Sequence, residues 1–165
     1  MVSQGSTQSK RVYCDPSVLK NIQSAYQGAV LSHAASQTKL VQNEEEKGFP
    51  VYSTASGGYE AGGVQTGLAA GFKIEINGPL AATVHTHISG AGLPSSSTDN
   101  AAASSDKADT IAAVQSKADI YVISGQGLAV AATAANEAEV AKNVKWVIRG
   151  PNFGDWFKAL KKQCQ

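Results

Sequence analysis

The first strong hydrophobic pattern in the chain is helical. Apolar or aromatic side chains recur at intervals of three to four residues after Asp15 and Pro16, at Leu19, Ile22, Tyr26 and Val30. A helix buries one face, and this spacing keeps such side chains on one face. Asp15 is a suitable N-cap, and Pro16 suits the first helical position. The pattern predicts a helix from Asp15-Pro16 to about Leu40.

The next patterns are typical of strands. Phe49 to Thr54 is an extended apolar run in which Pro50 favours a sheet edge or a bulge. Apolar and charged residues alternate from Phe72 to Ile76, and Asn77-Gly78 is a hairpin turn signal. Leu80 to His87 follows as the return strand. These signals predict a hairpin made by residues 72–87.

The second half of the chain continues with helices and strands. We predict helical structure over Ser96–Ser116, in which Ser104-Ser105 is a candidate break. Strands are predicted over Ile120–Ser124, Leu128–Thr133 and Val144–Ile148, and a terminal helix over Phe153–Lys162. The order predicts one α/β (α+β) domain with a mixed, mostly antiparallel sheet, flanked by an N-terminal helix and by a helix after the strand that ends at His87. Residues 1–14 are interpreted as a flexible leader and residues 15–165 as the domain.

The composition of the chain argues against some classes of function. Hydrophobic residues make up 42% of the 165 positions, and 14 Lys and Arg nearly balance 13 Asp and Glu. Without a basic stripe or a long apolar run, we expect neither a nucleic-acid partner nor a membrane span. Cys14 and Cys164 are too far apart in sequence for a CxxC motif. They could form a disulfide or remain two reduced thiols, so the cellular compartment stays open.

The first candidate metal ligands are the two histidines of the segment His85-Thr86-His87. Residues two apart on a strand point to the same face, so both imidazoles can bind one ion. Ser96 and Asp99 follow after a loop, with Ser96 as a helix cap and Asp99 in the first turn. Two His and one carboxylate leave a fourth zinc position for water, as in catalytic zinc sites.

A water molecule on such an ion needs a base from outside the ligand set. The candidates are Glu44, Glu45 and Glu46, at the entry to the first strand. Glu75 is a weaker candidate, because it alternates with the apolar face of its own predicted strand.

The series Glu, then His-x-His, then Ser-x-x-Asp resembles the motif of the JAMM (MPN+) zinc metallopeptidases. The segment from Glu46 to Tyr52 is also similar to the glutamate strand of JAMM-like domains at the ends of bacterial Rhs-type polymorphic toxins. The resemblance extends over roughly residues 15–135 and implies a cytidine-deaminase-like architecture. It implies a domain that is secreted or delivered as part of a longer toxin; otherwise the protein would be cytoplasmic.

The resemblance also implies roles for individual residues. His85, His87 and Asp99 would bind Zn²⁺, Glu46 would activate the water, and Ser96 would stabilise the tetrahedral oxyanion. The reaction would be hydrolysis of a peptide or isopeptide amide in a peptide or protein substrate. A cognate immunity protein would be a further partner.

The chain departs from the family pattern at three places. Ile88 stands where the family commonly has Pro, Ser95 to Thr98 leave the oxyanion serine open among Ser95, Ser96 and Ser97, and Glu44 to Glu46 leave the base open. The departures leave room for a second hypothesis, in which a catalytically inactive JAMM-like fold serves as a protein-binding module.

Overall fold

A computed structural model of the chain describes residues 11–38, 45–68, 73–88, 92, 94 and 109–165. A 3-10 helix, Val12–Cys14, overlaps the end of the predicted leader, whose residues 1–10 lie outside the described part. The predicted first helix is confirmed as α1, Pro16–Thr38. Asp15 caps it as expected, since its Oδ1 accepts a hydrogen bond from the Ser17 amide at 2.9 Å.

Three shorter helices follow in the described part of the chain: α2 (Asp109–Ser116), α3 (Glu137–Lys142) and α4 (Phe153–Gln163). Helix α3 has no counterpart in the sequence prediction. None of the described helices combines the length and the apolar character needed to cross a bilayer.

Seven strands form one sheet. They are β1 (Glu45–Ser53), β2 (Tyr59–Ala61), β3 (Gln65–Leu68), β4 (Leu80–Thr86), β5 (Asp119–Ser124), β6 (Gly127–Ala131) and β7 (Lys145–Arg149). The spatial order is β2-β1-β4-β5-β6-β7, and β3 also pairs with β1. Strands β4 and β5 are parallel, whereas the other pairs are antiparallel. The predicted fold class, a single α+β domain with a mixed and mostly antiparallel sheet, is confirmed.

The predicted hairpin of residues 72–87 is wrong. Strand β4 pairs with β1, with Gly48 opposite His85, and residues 73–77 form no strand. The backbone of Glu75 bonds instead to the Gln65 side chain, which accepts from its amide at 2.8 Å and donates to its carbonyl at 3.0 Å. These bonds satisfy the backbone of Glu75 without a neighbouring strand.

Pro50 lies inside a paired strand and not at the sheet edge. On one side of β1, residues 45–48 pair with β3 and residues 51–53 pair with β2, so Pro50 falls between the two partners. The missing N–H therefore costs no ladder bond on that side. The register on the β4 side shifts one residue later, between Val51 and Tyr52.

The sheet separates two cores of unequal size. The larger core joins α1 and α4 to one face and contains bulky side chains such as Ile22, Phe49 and Trp156. The smaller core joins α2 and α3 to the opposite face and consists of Ala113, Ile120, Ala131 and Val140. Successive residues of β5 alternate between them, with Tyr121 and Ile123 in the large core and Ile120 in the small one.

The connection from β4 to β5 positions the candidate site. Parallel neighbours require a crossover, and α2 lies on the chain between these two strands. A crossover helix returns from the carboxyl end of the first strand to the amino end of the second. The first residues of α2 therefore lie over the carboxyl end of β4, where the two histidines are.

The two cysteines, whose pairing the sequence leaves open, form a disulfide. Cys14 is the last residue of the 3-10 helix, and Cys164 lies at the end of α4, with their Cα atoms 5.2 Å apart. Arg11 Nη2 also donates to the Gln163 carbonyl at 3.4 Å. The disulfide therefore links the 3-10 helix to the end of α4, on the face with the larger core.

We expect removal of this disulfide to lower the free energy of unfolding. The bridged residues are 150 positions apart, and closing a loop of that length restricts the unfolded chain by about 5 kcal/mol in the chain-entropy model. Urea unfolding of the Cys14→Ser/Cys164→Ser variant should show that loss. A reductant should destabilise the wild type equally and leave the variant unchanged. Equal midpoints for reduced and oxidised wild type would contradict the expectation.

Candidate metal centre

His85 and His87 point into the same space, as the strand periodicity predicts. His85 is on β4, opposite Gly48, and the His87 amide continues the ladder by donating to the Ile123 carbonyl at 2.8 Å. The two Nε2 atoms are 3.1 Å apart. Thr86 between them points to the other face and is 1% exposed.

The third side chain in this cluster is Asp109, the first residue of the described helix α2. Asp109 Oδ1 lies 3.1 Å from His85 Nε2, and Oδ2 lies 3.6 Å from His87 Nε2. His85 and Asp109 are buried, at 9% and 8% exposure. Compared by side chain, His87 is 17% exposed and the other two are each 11% exposed, so His87 is the more open of the three.

The spacing suits a single metal ion. Zn–N bonds of 2.0–2.1 Å in a tetrahedral site place ligand atoms about 3.3 Å from one another. The two Nε2 atoms are 3.1 Å apart, and each lies 3.1 or 3.6 Å from a different oxygen of the Asp109 carboxylate, which is close to that value. His85, His87 and Asp109 thus form a group that could hold a metal ion, with three ligand atoms within 4.8 Å of one another. The arrangement is consistent with a JAMM-like metal site.

The electrostatics of the cluster favour a positive charge at its centre. Burial alone lowers the pKa of His85, but the charge of Asp109, its hydrogen bond and the charge of Glu46 outweigh burial and raise this pKa to about 9. In the metal-free protein a proton on His85 supplies that positive charge at neutral pH. A bound metal ion would replace the proton.

The apparent affinity for zinc should therefore increase with pH. Zinc binds neutral imidazole, so at pH 7 binding must displace the proton of His85, whose pKa is about 9. We expect the association constant to rise roughly tenfold per pH unit from 7 to 9 and then to level off. Competition with a chelator of known pH dependence measures this.

The metal-free protein should show the opposite trend in stability. A raised histidine pKa stabilises the fold fully below the unfolded value of about 6.5, and this contribution is lost as pH rises through about 9. An affinity for zinc that does not change from pH 7 to 9 would contradict the assignment of this proton.

Glu46 lies on the same face of the sheet as the histidines. Gly48 pairs with His85, and residues two apart on β1 share a face, so Glu46 projects on the side of His85. Its charge contributes to the raised pKa of His85. Gly48 has no side chain to place between them. Lys47 N donates to Thr86 Oγ1 at 3.1 Å, which fixes the backbone next to Glu46.

Glu45 projects on the opposite face. It shares that side with Lys47, whose Nζ lies 3.7 Å from Glu45 Oε1, and with the buried Phe49. Of the two described glutamates of this run, Glu46 therefore faces the metal cluster and Glu45 does not. Glu44 lies outside the described residues. Glu75 is exposed, and its backbone bonds to Gln65.

Two predicted site residues also lie outside the described part of the chain: Asp99, the predicted third ligand, and Ser96, the predicted oxyanion donor. Their roles stay predictions. Asp109, which the structure brings to the histidines, was not among the sequence candidates. The signal that could have indicated it is an acidic residue directly before the apolar pattern of a crossover helix.

Comparison of the chain with protein-family models, with curated proteins and with solved structures gives no match.

Proposed function

We propose that the protein is a zinc-dependent amide hydrolase of the peptidase or isopeptidase type. His85, His87 and Asp109 would hold the ion, and Glu46 would act as the base. The observation that carries the proposal is the convergence of His85 Nε2, His87 Nε2 and the Asp109 carboxylate, with one ligand atom of each residue within 4.8 Å of the others and a second carboxylate, that of Glu46, on the same face.

The donor set supports zinc and a hydrolytic role. Two imidazoles and one carboxylate are a catalytic zinc set that keeps a fourth position for water. Zinc in such a site lowers the pKa of the bound water and polarises a carbonyl oxygen. Residues of the chain would carry out the proton transfers and hold the ion away from bulk water.

Glu46 would take the proton of the attacking water and pass it to the leaving amine. Asp109 and His85 are buried, so the ion would be held in a site of low water content, where charge interactions are strong. His87, the more exposed ligand, would lie on the side from which substrate approaches. The JAMM resemblance supports an amide as the bond that is cleaved.

Two measurements on the purified protein test the proposal. Elemental analysis should find about one zinc per chain, and peptide and isopeptide libraries should be cleaved in a chelator-sensitive way that added zinc restores. A protein that stays metal-free in excess zinc, or that holds iron and no zinc, would overturn it. Stoichiometric zinc without any cleavage would favour the inactive binding module.

The biological setting is a separate matter from the chemistry. Delivery as the terminal domain of a bacterial toxin, and an immunity protein as partner, rest on the resemblance alone and stay predictions.

A further inference from the structure

Within the described part of the chain, helix α2, which carries Asp109, packs against mostly small apolar side chains. The partly buried Ala112, Val114, Ala134 and Val144 pack against the small core beneath it, whose buried residues are Ala113, Ile120, Ala131 and Val140. Two of these four are alanines, which bury far less apolar surface than the bulky side chains of the other face. A ligand-bearing helix held by such contacts needs further contacts to define where it lies along its axis.

Hydrogen bonds to the α3 side of the domain provide these contacts. Thr110, the residue after Asp109, is fully buried, and its Oγ1 donates to Glu137 Oε1 at 2.9 Å. Thr133 Oγ1 donates to the Ala113 carbonyl at 2.6 Å. A hydrogen bond from a buried hydroxyl to a carboxylate is among the stronger kinds.

Helix α3 is itself anchored. Val140 is in the small core, and Asn136 caps the helix by accepting from the Glu139 amide at 3.0 Å. Glu137 is therefore presented to Thr110 from an element that is fixed at both its start and its middle. Residues that orient the ligands of a metal can matter nearly as much as the ligands.

We propose that Glu137 is a positioning residue of the metal centre, which acts through Thr110 to set the place of the Asp109 carboxylate. This rests on the metal site of the proposed function. Ligand distances in metal sites tolerate deviations of about 0.2 Å, so a small slide of α2 would remove Asp109 from its place beside His85 and His87.

Zinc affinity, measured by chelator competition, tests the proposal with two pairs of variants. Glu137→Ala and Thr110→Val remove the bond, and each should weaken zinc binding by about 10- to 100-fold. Glu137→Gln and Thr110→Ser keep an acceptor and a hydroxyl, and both should stay within a few-fold of the wild type. The losses in the double variant Thr110→Val/Glu137→Ala should be less than additive, because both changes break the bond between Thr110 and Glu137.

Leu160→Ala serves as the matched control for lost stability, because Leu160 is fully buried in the larger core on the other face. It should lower the thermal midpoint at least as much as Glu137→Ala and leave zinc affinity unchanged. Folded Glu137→Ala protein with wild-type affinity would overturn the positioning role alone. Equal losses in Glu137→Gln and Glu137→Ala would also overturn it, since charge and not the hydrogen bond would then matter. A wild-type protein that binds no zinc would overturn the proposed function as well.

Discussion

Replacing Glu46 with Gln should lower kcat by about 10²- to 10⁴-fold while zinc content stays at the wild-type level. Gln keeps the size of the side chain and removes the group that can accept the proton of the attacking water. Glu46 is outside the ligand set, so the ion should remain. The measurement is turnover of a peptide that the wild type cleaves, together with elemental analysis of each protein.

Glu45→Gln is the matched control. Glu45 is the neighbouring carboxylate, but it lies on the opposite face beside Lys47, at 3.7 Å. Its loss should change kcat by no more than a few-fold. If Glu46→Gln keeps full activity and Glu44→Gln loses it, the base is Glu44. Glu46 would then lie on the same face as the histidines without taking part in the reaction.

The features that depend on local periodicity could be predicted from the sequence. The cap and start of α1 follow from Asp15 and Pro16, and the shared face of His85 and His87 follows from the two-residue repeat of a strand. The fold class follows in the same way, from the order of helical and extended patterns. The helix cap and the shared face of the histidines require no knowledge of which strands pair.

Strand pairing could not be predicted, because it is decided by partners far apart in the chain. The alternation at residues 72–76 and the turn signal at Asn77-Gly78 favour a local hairpin, yet β4 pairs with β1. Gln65 supplies the bonds that the backbone of Glu75 would otherwise seek in a ladder. Local sequence patterns do not indicate hydrogen bonds from a side chain ten residues away.

The third ligand of the cluster shows the same limit. The choice between Asp99 and Asp109 depends on which acidic residue of the connection from β4 to β5 lies beside the two histidines, and Asp109 does so. The sequence pattern extends helical composition back to Ser96, which favours Asp99. The contacts of Asp109 with both histidines, and the bond of Thr110 to Glu137, are tertiary and give no periodic signal.

Zinc binding by two aspartate variants decides between these ligand sets. Asp109→Asn should weaken zinc binding at least 100-fold, because it removes a buried negative charge and one of three ligands, a larger change than the loss of an outer contact. Asp99→Asn should stay within about threefold of the wild type. Both substitutions conserve side-chain shape, so a difference between them reports on charge and coordination.

A second readout does not involve metal. The charge and hydrogen bond of Asp109 are the main causes that raise the pKa of His85, against the opposing effect of burial. In the metal-free Asp109→Asn protein the negative charge is lost, only a neutral acceptor is left and burial remains, so the pKa of His85 should fall below about 9 in an NMR titration. Asp99→Asn should leave it in place. If Asp99→Asn instead abolishes zinc binding and Asp109→Asn does not, then Asp99 is the ligand, and Asp109 serves only to hold a protonated His85 in the metal-free state.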